Sequence, residues 1–381
     1  MKITKIETHL AAQFTFVKIL TDEEIYGIGE VHPASGTTGT AFTIRGAINH
    51  CAEYLIGKNP LEIEKNWQHM FRRTIFRGGS DLMAAIGGLD IALWDIAGKA
   101  SNLPIHKLLG GPTRDRVRVY THINGNNTDE LTEDAKEKIN QGYTALRFYP
   151  FGDFNEPLPN SITRIVKTAV NRVEAVKKVS SDEIDLMIDS VNRLSPPEAV
   201  AVGKSLEQYN LFFFEDPIES DNIDALSKVA NSITVPIATG ERLYTIYQFL
   251  ELLNKNAASY IRPDLSLAGG ITNCKKIASI AEANYIGVVP HNPLSPVLTA
   301  ACVQFCAATH NISIQEYFTN EQLSPKSDLV DSPLSIKQGH LIIPDRAGLG
   351  IDLNLEAFKH YPPIKRARNP LKTSDGALRD Y

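Results

Sequence analysis

From residue 117 onward the chain repeats one unit: a short apolar run that ends in polar residues, then a helical stretch. The runs fall at 117–123, 145–150, 185–191, 211–217, 236–241, 259–265, 285–291 and 312–317. Eight such units at this spacing predict a (β/α) barrel rather than a doubly wound sheet. The sharpest run is Leu211-Phe212-Phe213-Phe214-Glu215-Asp216-Pro217. Its four consecutive apolar residues make a strand buried on both faces. Pro217 stops that strand because it has no N–H for a sheet ladder. Glu215 is left at the end of a buried strand, where a lone charge is too costly to keep without a partner.

The other strand ends carry the same kind of residue. In order they offer His122, then Arg147 and Tyr149 on one face, then Asp189, Glu215, Glu241, Asp264, His291 and Glu316. From Asp189 onward, neighbours lie 23–27 residues apart, one βα unit each. They therefore share the C-terminal rim of the barrel, where active sites are built in this fold. Asp189, Glu215 and Glu241 form an all-oxygen set suited to Mg²⁺. One such acid alone would be an ordinary ion-paired strand end; three in register argue for a cation. Asp264 and His291 stand on adjacent strands, where a carboxylate orients an imidazole and raises its basicity, as a general base requires. Glu316 reads either as a partner for a substrate proton donor or as a salt-bridged acid.

The remaining segments frame the barrel. Residues 3–30 read as a three-stranded meander, and 31–48 as a long loop of the lid type. Helical patterns follow at 44–56, 60–72 and 81–101. The last is apolar nearly all round, so it should be buried. Gly110-Gly111-Pro112 marks a boundary. The predicted division is an α+β capping domain over 1–113, the barrel over 114–335, and a segment 336–381 that returns to complete the cap. A formal net charge of −5 argues against a nucleic-acid or acidic-membrane surface. No apolar run is long enough to span a membrane. Gln13 and Lys18 interrupt any leader-like core, and a cytoplasmic location is expected. The four cysteines lack metal-type spacing and read as buried small hydrophobes.

With these residues in view, the chain resembles the enolase superfamily. The resemblance is to its mandelate racemase-like subgroup and, within that, to the acid-sugar dehydratases of the galactonate, gluconate and mannonate type. It rests on Leu89-Asp90-Ile91-Ala92-Leu93-Trp94-Asp95, Ile188-Asp189, Phe214-Glu215-Asp216-Pro217, Gly240-Glu241-Arg242, Arg262-Pro263-Asp264-Leu265, Ala268-Gly269-Gly270-Ile271-Thr272, Pro290-His291 and Gln315-Glu316. It implies an α/β architecture: a modified TIM barrel, (β/α)₇β, with an α+β cap from both termini. It also implies Mg²⁺ on Asp189, Glu215 and Glu241, holding the carboxylate of a small-molecule sugar acid and stabilising an enediolate. His291 with Asp264 would remove the α-proton, and Glu316 would hydrogen-bond the carboxylate. Loss of a β-hydroxyl would give a 2-keto-3-deoxy sugar acid. A homo-oligomer is expected by analogy.

Two departures stand out. Many members carry Lys-x-Lys at the second strand; here it is Arg147-Phe148-Tyr149. Arg147 is read as a carboxylate binder or a neutralising charge. Tyr149 is read as an acid or base, if the metal and Arg147 lower its pKa, or as a packing residue. Galactonate and gluconate dehydratases place a histidine two residues after the first metal ligand; here that position is Val191. His122 is then a substitute acid or a hydroxyl binder. Arg77 and His32 are candidate substrate contacts from the cap, Arg77 reaching for a distal carboxylate. The same enediolate half-reaction also serves racemases, epimerases and cycloisomerases. A non-catalytic sugar-acid-binding protein is the reading from another class.

Overall fold

In the computed structural model the described residues are 1–33, 38–73, 75–364, 371–372 and 376–379. The meander forms as its alternation predicts. Strands β1 (Ile3–Ala11), β2 (Phe14–Thr21) and β3 (Tyr26–Val31) make an antiparallel sheet in the order β1-β2-β3. Helices α1 (Thr38–Leu55), α2 (Ile63–Arg72) and α3 (Ser80–Ser101) pack on it, and the one-turn helix α4 (Ile105–Leu108) leads out. Helix α1 begins at Thr38, so part of the expected loop over 31–48 is helical. Residues 34–37 of that loop lie outside the described residues, as does Thr74.

Eight strands follow: β4 (Arg116–His122), β5 (Ala145–Phe148), β6 (Asp185–Asp189), β7 (Phe213–Glu215), β8 (Ile237–Thr239), β9 (Tyr260–Ile261), β10 (Gly287–Val288) and β11 (Gln315–Tyr317). Seven helices alternate with them: α5 (Thr128–Asn140), α6 (Ile162–Val179), α7 (Pro196–Leu206), α8 (Ile223–Ala230), α9 (Ile246–Asn254), α10 (Gly270–Ala283) and α11 (Pro296–Ala307). The strands pair in parallel from β4 through β10, and β11 pairs with β4. A bridge from Val288 to Ile312 joins the last two units, closing a (β/α)₇β barrel. The ladders are shorter than the apolar runs, because each run continues past its last hydrogen bond into the rim. Local side chains cap the starts of several of these helices. The Asn127 side chain accepts from Glu130 N, and Ser195–Glu198 and Thr245–Gln248 form capping boxes.

Helix α3 packs on both the cap sheet and the barrel. Gly29 of β3 lies so close to it that a Cβ there would sit 2.0 Å from the Gly88 carbonyl oxygen. On the other side of the helix, the Asp90 carboxylate accepts from the N and Oγ1 of Thr272 at the start of α10, at 2.9 and 2.5 Å. Asp95 accepts from Ile28 N and Leu349 N, at 3.0 and 2.8 Å. It also pairs with Lys99 at 2.7 Å. The Leu89–Asp95 motif therefore ties β3, the barrel and the returning C-terminal chain to one helix. That returning chain first adds a hairpin, β12 (Ile336–Lys337) and β13 (His340–Ile342), with β13 antiparallel to the start of β4. It then reaches the meander, where Ala12 N donates to Tyr361 O and Ile364 N to Ala12 O. No helix among the described residues is long and apolar enough to cross a membrane.

Candidate active site

The barrel floor is a cluster of Tyr120, Ala145, Met187, Phe213, Ala238, Val289 and Ile314. Side chains alternate along a strand, so the residue two further on points the same way, one layer up. Those residues are His122, Arg147, Asp189, Glu215, Gly240, His291 and Glu316. At β8 the register changes. Gly240 takes φ +131, a conformation open to glycine, and Glu241 follows it onto the rim. On β9 the same face gives Tyr260, Arg262 and Asp264, and a bridge pairs Asp264 with His291.

Two guanidinium groups compensate the buried acids. Arg147 donates to Asp189, to Glu215 through Nε and Nη2 at 3.2 and 3.1 Å, and to His122 Nδ1 at 3.1 Å. Arg262 is fully buried and pairs with Glu215 at 2.8 Å and Glu316 at 3.1 Å. It also donates to the Tyr120 hydroxyl at 2.5 Å. Of the two roles expected for Arg147, the one seen is neutralisation. Burial pushes the Glu215 carboxyl up, and Arg147 and Arg262 oppose that shift.

Opposite them, Asp264 Oδ2 accepts from His291 Nδ1 at 3.0 Å. His291 Nε2 faces Glu241 at 3.5 Å. Burial disfavours charge on His291, yet Glu241 and Asp264 outweigh it and hold the ring up at about 9. The cap adds His32, whose Nε2 lies 3.8 Å from the same Asp264 oxygen and whose backbone N is fixed by Ser266 Oγ at 2.7 Å.

His122 sits between a donor and an acceptor. A guanidinium only donates, so Nδ1 accepts from Arg147 and the proton lies on Nε2, which donates to Glu316 at 2.8 Å. Burial, then Arg147, depresses its pKa to about 4, so the ring is neutral. Glu316 also receives Asn292 N at 2.9 Å. Burial works against its ionisation, but Arg262 and His122 outweigh it and hold the carboxyl well below its usual range.

Two candidates stand elsewhere. The Tyr149 hydroxyl accepts from Arg193 Nη1 at 3.0 Å, and its ring packs edge-on to Phe151 and Phe154. Its pKa is raised by burial, with Arg193 opposing, whereas an acid or base role required the metal and Arg147 to lower it. Arg147 is engaged with the acids instead. Arg77 is exposed and lies over the Phe71 ring, 6.0 Å from its centre. It lines a cavity of about 350 Å³ with Tyr244, Thr245 and Gln248, on the flank between cap and α9. At position 191, the valine contributes its backbone N, which holds Asp189 Oδ1 at 2.6 Å. Sequence reasoning missed Arg262, Tyr120 and Asn292. The first two were findable, since each stands two residues before a named site residue on the same strand.

The donor set suits a hard divalent cation. Carboxylate oxygens of Glu215, Asp216 and Glu241 lie within 4.8 Å of one another, and Asp189 stands beside Glu215 on the neighbouring strand. Asp216 Oδ2 is buried with no hydrogen-bond partner among the described residues, an arrangement a cation would satisfy.

Comparison with known proteins agrees with this geometry. Residues 2–110 match the family model described as mandelate racemase / muconate lactonizing enzyme, N-terminal domain, and residues 130–357 match enolase C-terminal domain-like. D-galactonate dehydratases of Variovorax paradoxus and Xanthomonas oryzae pv. oryzae are each 35% identical, over 100% of both chains. A solved enolase of Agrobacterium radiobacter, provisionally named a galactarate dehydratase and bound to Na and L-malate, superposes with TM-score 0.91. It is 29% identical over 99% of each chain. A mandelate racemase/muconate lactonizing enzyme from Sulfitobacter sp. gives TM-score 0.90 at 28% identity over 100% of each chain.

Proposed function

The chain belongs to the mandelate racemase/muconate lactonizing enzyme family of enolase-like proteins, and from that membership we propose how its rim removes water from a sugar acid. It is an acid-sugar dehydratase, a carbon–oxygen lyase that takes a small-molecule sugar acid. The observation that carries the mechanism is the Asp264–His291 pair facing the acid cluster. Asp264 accepts a hydrogen bond from His291 Nδ1 and turns Nε2 toward the rim. A divalent cation on the acid cluster would offset the carboxylate charge that favours the protonated ring and so would free the Nε2 lone pair. His291 is the base for the proton α to the substrate carboxylate.

Members of this family use a divalent cation. Asp189, Glu215 and Glu241 would hold Mg²⁺, which would supply positive charge against the substrate carboxylate as negative charge grows on it. Arg147 and Arg262 oppose the effect of burial on Glu215 and fix the surrounding acids in place. His122 and Glu316 are locked together as donor and acceptor, and they position the substrate carboxylate and hydroxyls.

The leaving hydroxyl needs a proton. Neutral His122 yields its own only by becoming an imidazolate, Glu316 carries none, and the Tyr149 hydroxyl is turned to Arg193. Among the described rim residues, the group newly protonated after the first step is His291. His291 therefore takes the α-proton and returns it to the departing hydroxyl on the same face, a syn elimination giving water and an enol. The enol tautomerises, by losing its 2-OH proton and gaining one at C3, to the 2-keto-3-deoxy acid.

The test is a panel of mono- and diacid sugars, headed by D-galactonate, incubated with enzyme and Mg²⁺ in D₂O. Formation of a 2-keto acid from one or two of them, abolished in His291→Asn, is the expected result. Deuterium entering the substrate with no keto acid from any sugar would overturn the reading.

A further inference from the structure

The sequence motif at β7 holds two consecutive acids, and only the first, Glu215, has a place in the site proposed above. We infer that Asp216 is a further ligand of that cation site, supplying its Oδ2 oxygen alongside Glu215 and Glu241. The inference rests on the reading that a divalent cation binds at this rim.

The backbone is fixed so as to present this side chain. Asp216 takes φ +38, in the left-handed region that favours glycine. It is held there by Asp216 N donating to Ala238 O at 2.9 Å, and by its own carbonyl accepting from Asn192 N at 2.8 Å and Ser190 Oγ at 2.7 Å. The carboxylate is only 1% exposed for the whole residue. Thr239 Oγ1 donates to its Oδ1 and so sets the rotamer. Oδ2 is left with no hydrogen-bond partner among the described residues. Ligand atoms of Glu215, Asp216 and Glu241 nevertheless lie within 4.8 Å of each other.

The neighbouring acids differ in this respect. Asp189 has Val191 N on Oδ1 and Arg147 on Oδ2. Glu215 has Arg147 and Arg262 on Oε1 and Arg147 on Oε2. Asp216 Oδ2 keeps its full acceptor capacity. A buried carboxylate oxygen without a donor is costly, and a hard cation at carboxylate distance satisfies it. The rival occupant of that space is a proton shared between Asp216 and Glu241.

The experiment measures Mn²⁺ binding to the full-length protein by calorimetry. It is paired with Tb³⁺ luminescence lifetimes in H₂O and D₂O, which count the waters on the ion. Asp216→Asn keeps the shape and the Thr239 contact, and its melting temperature in EDTA reports folding. Expected are at least tenfold weaker Mn²⁺ binding, in the range of losses seen at metal sites, and about one additional water on Tb³⁺ in place of the lost oxygen. Affinity within about threefold of wild type, with an unchanged water count, would overturn the inference. Asp189→Asn and Glu241→Gln are measured beside it. If these too bind Mn²⁺ like wild type, the rim reading itself fails, which is a different outcome from failure of Asp216 alone. Asp216→Ser serves the same comparison if the Asn variant does not fold.

Discussion

Arg262 and Glu215 meet 2.8 Å apart with both side chains fully buried. The pair lies under the rim, and Arg262 also reaches Glu316. Breaking such a pair from one side leaves uncompensated buried charge. Arg262→Met should therefore destabilise the metal-free protein by about 3–5 kcal/mol, read from urea unfolding. A loss under about 1 kcal/mol would mean that Glu215 simply takes up a proton.

Glu30 gives the protein a pH dependence remote from the chemistry. Its carboxylate is fully buried at the start of α11, accepting from Ser295 N, Ser295 Oγ and Leu298 N. Burial pushes it up to about 8, and those three donors only partly oppose the shift. The folded state thus holds this proton more tightly than the unfolded chain. The stabilising component is complete below the ordinary value of 4.5 and is lost as pH rises through about 8. The full effect is on the order of 5 kcal/mol. Glu30→Gln should match wild type near pH 5 and exceed it in melting temperature at pH 9. Parallel curves from pH 5 to 9 would refute the assignment.

Gly29 tests the docking of the cap sheet on α3. A Cβ at this position would meet backbone, the Gly88 carbonyl oxygen, at 2.0 Å. Backbone in the middle of a buried helix has little room to move, so overpacking there is costly. Gly29→Ala should lose about 3 kcal/mol, whereas Gly46→Ala, whose Cβ has nothing within 4 Å, should change little. Equal melting temperatures for the two variants would show that the sheet can lift off the helix.

Much of this was legible in the chain because β periodicity and barrel topology turn sequence spacing into position. Asp189, Glu215, His291 and Glu316 each stand two residues beyond a buried floor residue, so counting alone put them on one rim. Glu241 was placed on that rim by unit spacing, 26 residues past Glu215, but it gets there through the turn at Gly240 rather than by alternation from Ala238. Tyr149 shows the limit of alternation. It is in phase with Arg147, but it stands past the end of β5, where the loop carrying Phe151 and Phe154 and the neighbouring Arg193 decide its direction. Arg262 went unread although it stands two residues before Asp264; what counting could not show is that Glu215 and Glu316 both close on it. The start of α1 was misjudged by six residues, since Gly and Thr at 36–43 lack the apolar spacing of a helix that packs through its later turns.

His122 separates two ways of finishing the reaction. The structure holds its ring neutral, with Nδ1 on Arg147 and Nε2–H on Glu316. With both ring nitrogens engaged, His122 fixes Glu316 and through it the substrate, and it is not a source of a transferable proton. If His291 performs both proton steps, His122→Gln should slow α-proton exchange and keto-acid formation together, by a common factor on the order of 10²–10⁴ if it orients the substrate as strongly as a catalytic group acts. Tyr149→Phe should likewise leave the ratio of the two rates unchanged. His291→Asn should remove both. Each variant is followed in D₂O with one substrate, deuterium incorporation and product being read from the same NMR sample. If His122→Gln keeps exchange while losing keto acid, His122 is the acid for the leaving hydroxyl and the elimination does not run through His291 alone. A selective loss in Tyr149→Phe would assign that acid to Tyr149, and would require its phenol to turn away from Arg193 when substrate binds.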